Sequence, residues 1–167
     1  MNEQFYETVS QMLDNTISVY EELLELYKEK KKVLLTPKNN ELLRIVDEKI
    51  LAQVNTVKKV NAKREEFCNE NEISSTKIST LIELAQKECP QFEKKLSEQK
   101  VKINEVAEEM ALVEKTNVEL IKHGLIMSDK LLDIIISAAQ PQTDNYDMYG
   151  KNTDTSELSI SSIVEDA

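Results

Sequence analysis

The stretch FEKKLSEQKVKINEVAEEMALVEKTNVELIKHGLIMSDKLLDIIISA, residues 92–138, decides how this chain is read. Phe92, Leu96, Gln99, Ile103, Val106, Met110, Val113, Asn117, Leu120, Gly124, Met127, Leu131, Ile134 and Ala138 step by alternate fours and threes. That spacing lays one stripe along an α-helix, the seam by which helices pack lengthwise. It predicts a single helix over residues 90–140, roughly 75 Å long at 1.5 Å per residue. Cys89–Pro90 bounds it, because the residue before a proline is pushed out of helical geometry; a kink inside one longer helix is the alternative. Gln99 and Asn117 interrupt the apolar seam and are expected to fix its register rather than to bind a ligand. Gly124 costs about 1 kcal/mol in a helix interior relative to Ala. Close approach of another chain, a bend, and a glycine without a role all remain open there.

The two halves of this helix differ. Up to Lys115 the apolar residues make one stripe among Glu, Lys and Asn. From Val118, Ile121, Leu125, Leu132, Ile135 and Ile136 widen the seam of Leu120, Met127, Leu131 and Ile134 into a broad arc. Contiguous apolar patches of several hundred Å² are unusual on monomers, so such an arc is expected to be covered. Two readings are open: the first helix packs there, or another protein does. Both can hold along different edges.

The rest of the chain repeats the long-helix pattern. Residues 2–35 carry Phe5, Val9, Met12, Thr16, Val19, Leu23 and Leu26 on a seam that widens at Tyr20, Leu24 and Tyr27. Lys28, Lys30, Lys31 and Lys32 suit the negative end of that helix's dipole and are read as solvated. In LLTPKNNE, Thr36 is placed to cap a second helix with Pro37 at its first position. The short connection predicts an antiparallel return. This second helix runs to about residue 69 on Leu43, Val46, Ile50, Gln53, Val57, Val60, Arg64 and Phe67; the seam weakens toward Arg64, so looser packing is expected at that end. Ser74 or Ser75 is expected to cap a short third helix with Ile78, Leu81, Ile82 and Ala85 on one face.

Composition agrees with an all-α chain. Of 167 residues only 2 are Gly and 3 Pro, 31% are charged, and there is no Trp. Few breakers and many charges favour helices. A hydrophobic share of 40% with 5% aromatics fills narrow seams between helices. The expected fold is therefore an elongated antiparallel helical bundle over residues 1–140, with an acidic tail over residues 141–167. The formal net charge of -10 repels phosphate, so neither nucleic acid nor an anionic membrane is an expected partner. No run of eighteen apolar residues is present for membrane insertion. MNEQFYETV lacks the basic and apolar regions of a secretory signal. Cys68 and Cys89, without CxxC spacing, read as reduced thiols of a cytoplasmic protein, with a disulfide as the alternative.

Chemistry-bearing motifs are missing. The one histidine, His123, cannot supply the two ExxH pairs of a di-metal carboxylate bundle. Neither cysteine sits in zinc-type spacing, and two glycines cannot build a phosphate loop. Neither catalytic activity, cofactor nor metal is expected.

The tail, residues 141–167, is too polar to offset its own chain entropy. It still ends in Ile160, Ile163 and Val164 at i, i+3 and i+4, the pattern of a short amphipathic helix formed on a partner's surface. Leu158 and Ile160 alternate with Ser159 and Ser161, so an added strand is the second possibility, and a frayed terminus the third.

Three stretches resemble the FlgN family of flagellar export chaperones. KKKVLLTPKNNELLRIVDEKI, residues 30–50, resembles the family's first turn between helices. KTNVELIKHGLIMSDKLLDII, residues 115–135, resembles its long last helix, and YDMYG, residues 146–150, the Tyr-to-Gly element that follows. The resemblance implies a cytoplasmic chaperone that binds the C-terminal helices of hook-associated (hook–filament junction) proteins. It also implies that the chaperone keeps those helices from assembling early and brings them to the export gate of the flagellar type III apparatus. It implies substrate contact through Leu120, Ile121, Leu125, Leu131, Leu132 and Ile135, with Ile160, Ile163 and Val164 as a second contact. Tyr146, which stands before Gly150, or the neighbouring Tyr149 would dock at the gate. The expected free state is a monomer or weak dimer. A self-assembling coiled-coil adaptor and a chaperone for another secreted substrate are the other readings of the same residues.

Overall fold

A computed structural model describes residues 3–36, 38–73 and 75–139. Pro37 and Ser74, Tyr146 and Tyr149, and Ile160, Ile163 and Val164 lie outside the described residues, so what is expected of them is not addressed by the fold. Among the described residues four helices follow in order: α1 (Glu3–Leu34), α2 (Asn40–Glu70), α3 (Ile78–Glu88) and α4 (Pro90–Ala139). The chain is all-α, as its sequence predicts. It divides into two compact units between Ile126 and Met127.

Helix starts differ from expectation in two places. The Thr36 hydroxyl donates to the Lys32 carbonyl at 2.9 Å, so it closes the end of α1 and does not cap α2. Asn39 stands at the start of α2 instead, without a side-chain cap bond, after Lys38 has turned the chain through a left-handed φ of 65°. Ser75 accepts the Lys77 N–H at 3.4 Å, which ties the turn ahead of α3. The helix itself starts at Ile78 with Lys77 as the flanking residue. In both cases a short hydroxyl side chain found a local backbone partner nearer than the helix end. Cys89, at φ -145° and ψ 72°, separates α3 from α4, so two helices meet there and not one kinked one.

In the first unit, α2 runs against α1. Lys30 pairs with Asp47 at 2.7 Å, Gln53 donates to the Val19 carbonyl at 3.1 Å, and Phe67 stacks on Phe5 at 5.2 Å. The second helix's seam residues Leu43, Ile50, Val57, Val60 and Phe67 are half-buried and Val46 is buried. α4 instead runs in the same direction as α1. Gln91 donates to Glu3 at 2.9 Å, Lys102 pairs with Glu21 at 3.1 Å, and Lys28 with Glu109 at 2.9 Å. The antiparallel α2 has already brought the chain back to the start of α1, and the short α3 crosses there, where Tyr6 donates to Glu88 at 3.0 Å, so that α4 sets out from the same end as α1. Flanked by two helices, α1 is buried over a wider arc than its seam: Tyr6, Ser10, Leu13 and Leu24 are buried, while Met12 and Leu26 are only half-buried. Lys28 and Lys30, read as solvated, tie α1 to α4 and α2.

The densest packing lies where α1 starts, α2 ends and α3 crosses. Phe5, Tyr6, Val9, Leu13, Cys68, Ile73, Leu81, Ala85, Leu96 and Ile103 form one buried cluster. Between Val46 and Cys68 no residue of α2 is buried and Arg64 is half-buried. The cluster takes in α2 only past Arg64, at Cys68, where α3 and Ile73 supply apolar surface that the weakening seam lacks. Phe92 and Phe5 close around the Tyr6 ring at 6.0 and 5.1 Å. Burial first, and donation to Glu88 second, push the Tyr6 phenol well above its usual range. Cys68 and Cys89 are free thiols, and burial raises the Cys68 thiol, which makes it a packing residue.

Candidate functional site

Two buried amides add to the surface ties that hold α4 to α1 in the first unit. Buried Gln99 donates through Nε2 to the Ser10 carbonyl at 3.0 Å, to Ser10 Oγ at 3.1 Å, and to Asp14 Oδ1. Asn117 donates through Nδ2 to the Tyr27 carbonyl at 3.0 Å. Each meets its partner at one register only, since a shift along the helix would bury the amide without an acceptor. Both positions that break the apolar seam therefore act on packing geometry, as expected.

Asn117 is the last buried residue among those described in α4. The reason is helix length. α1 ends at Leu34, about 10 Å past Tyr27 at helical rise, so α1 can accompany α4 for only a turn or two more. Leu120 is half-buried, and every residue from Ile121 to Ala139 is exposed. The reading in which the first helix covers the wide arc is thereby overturned: its own wide stretch, Val19 to Tyr27, lies beside Gln53 of α2 and alongside α4 only as far as Asn117.

The site residues expected on α4 can now be placed. In the first unit, Ile121 is 37% exposed and Leu125 62%, and Val118 and Ile126 are exposed beside them. A Cβ added at Gly124 would meet nothing within 4 Å. In the second unit Leu131, Leu132 and Ile135 are each more than half exposed, and so are Met127 and Ile134, with Ile136 close behind at 43%. At 100° per residue, Leu131, Leu132, Ile134, Ile135 and Ile136 share about half the helix circumference. Lys130, Asp133 and Ser137 occupy the other side. Val118 and Ile126 were not singled out from the sequence. Val118 lies at the margin of the arc, where periodicity does not distinguish a wide binding face from a single misplaced apolar residue, and Ile126 lies on the opposite, polar side of the helix.

Reactive groups do not gather on this helix. His123 is exposed. Among the described residues no three His, Cys, Asp or Glu side chains are grouped to hold a metal ion, and no helix is long and apolar enough to cross a membrane. Shallow grooves lie on α1 and α2, one of them lined by Glu21, Glu22, Glu25 and Glu29. What the surface offers is apolar contact along a helix, the chemistry by which amphipathic helices are recognised.

The class so defined is a helical bundle whose last helix keeps an exposed apolar face. The family model described as FlgN protein matches residues 1–154. The chain belongs to the FlgN family, whose members are flagellar export chaperones. No curated protein and no solved structure matches it.

Proposed function

We propose that this chain is a cytoplasmic chaperone of flagellar type III export that holds the C-terminal helices of hook-associated proteins and delivers them to the export gate. The supporting observation is the uncovered apolar arc of α4. Exposed Ile121 and Leu125 with half-buried Leu120, then exposed Leu131, Leu132 and Ile135, offer an amphipathic helix the kind of surface it loses when it cannot yet assemble. A subunit end that polymerises by helix packing exposes such a seam. Covering it with a second helix blocks self-assembly without any covalent step or nucleotide. Ile160, Ile163 and Val164 add a second contact, whose ordering cost keeps affinity moderate and release easy. Tyr146, with Tyr149 beside it, docks at the gate. Residues 1–140 act as the folded part and residues 141–167 as the recruiting part.

Pull-down from a motile host tests this. The intact chain should recover hook–filament junction proteins, the chain ended at Gln140 should recover less of them, and Leu131→Asp should recover almost none. Recovery of the chain itself alone, in equal yield from all forms, would favour a self-assembling adaptor. Recovery of a different exported protein would keep the chaperone and replace its substrate.

A further inference from the structure

The second unit carries two groups of apolar residues in one short piece of chain. One is the face of α4 carrying Met127, Leu131, Leu132, Ile134 and Ile135, all of them exposed. The other is Ile160, Ile163 and Val164, near the end of the 28 residues that follow Ala139. We propose that the occupant of that face in the free protein is the chain's own C-terminus, with the turn containing Ile160, Ile163 and Val164 docked on Leu131, Leu132 and Ile135. This inference rests on the chaperone reading of the face and adds its regulation.

Reach, size and chemistry support this occupant. From Ala139 to Glu157 the chain is polar and acidic, and a coil of this length has a root-mean-square span of about 25 Å. The middle of the α4 face lies roughly 12 Å back from Ala139 at helical rise. The spacer therefore bridges the gap without stretching, and a tether of this kind holds its end at an effective concentration on the order of millimolar. The segment from Ile160 to Val164 has fewer residues than the face from Met127 to Ile136, so it covers only part of it. Partial, tethered cover suits a surface that must stay exchangeable. A partner helix displaces the turn, and the displaced Ile160, Ile163 and Val164 become free to serve as the second contact on that partner.

Nile red binding to the full chain tests the cap without any export substrate. Ile160→Ser, Ile163→Ser and Val164→Ser together remove the apolar turn while leaving the charge unchanged. The triple variant should raise Nile red emission several-fold, and adding Leu131→Ser and Leu132→Ser should abolish the rise. Amides of residues 131–139 should exchange with deuterium several-fold faster in the triple variant, with residues 5–106 unchanged as a folding control. Equal dye emission and equal exchange in the two proteins would overturn the proposal. So would a fall from dimer to monomer mass in the triple variant, which would assign the cover to a second copy. Because no hook-associated protein is used, failure here leaves the pull-down result standing, and failure of the pull-down leaves the cap intact.

Discussion

The start of α1 and the second half of α4 are both strongly apolar, yet they meet opposite fates. Around Tyr6, four helices converge and bury Leu13, Leu81 and Leu96 completely. Past Asn117, Leu131 and Ile135 remain more than half exposed. Apolar content does not separate the two regions; availability of a partner does. α4 shares its start and direction with α1 and has 50 residues against 32. The first region therefore forms the buried centre of the fold, and the second keeps its apolar side chains at the surface.

Substitutions sharpen that contrast, beginning with the core. Leu96→Ala should cost about 3 kcal/mol, the usual loss for a fully buried leucine, read as a lower urea midpoint at unchanged slope. If Leu96→Ala were as mild as a surface change, the convergence of four helices would not be the stabilising centre. Leu131→Asp should do the reverse: unfolding free energy shifts by at most about 0.5 kcal/mol, while binding of a hook-associated protein weakens at least tenfold, about 1.4 kcal/mol. A cooperative loss of helical circular dichroism in Leu131→Asp would show that the second region is structural after all.

The polar ties fall between these extremes. Gln99→Ala leaves the Ser10 and Asp14 acceptors without their donor and should cost about 1–2 kcal/mol by chemical denaturation. Gln99→Met, which keeps the volume without the donor, should be little better if the hydrogen bonds matter, and near wild type if only packing does. Tyr146→Ala should leave both stability and substrate binding unchanged and reduce export of hook-associated proteins in a motility assay.

The smallest effect near neutrality is on pH dependence. Burial, and then donation to Glu88, raises the Tyr6 phenol above its ordinary value; burial, and then the charge of Glu114, raises Tyr27. A raised folded-state value means the neutral phenol is favoured on folding. That stability is fully present below about pH 10, the unfolded value, and is lost as pH climbs above it. Ultraviolet titration should therefore find Tyr6 ionising only together with alkaline unfolding, and Tyr6→Phe should weaken that alkaline dependence.

Much of the architecture was legible in the residues. Steps of four and three placed α1, α2 and α4, and Pro90 divided α3 from α4, because side-chain periodicity and proline geometry act locally. Gln99 and Asn117 were recognisable as register positions since a polar residue on an apolar seam must find a partner. The caps were not legible: Thr36 and Ser75 each had a nearer backbone partner than the helix end they were expected to close. Nor was the burial of Cys68 at the end of α2, because the residues that cluster with it, Ile73, Leu81 and Ala85, come later in the chain.

The candidate site divides along the same line. Its apolar residues from Leu120 to Ile135 stand out in sequence, since no solvated helix needs so wide an arc. Whether that arc is core or surface depended on where α1 ends relative to Asn117. Helical periodicity is a property of one segment and is written in its own residues. Exposure is a property of pairs of segments, and in the first unit it was decided only when α2 brought the chain back to the start of α1 and α3, crossing there, set α4 running alongside α1 as far as Asn117.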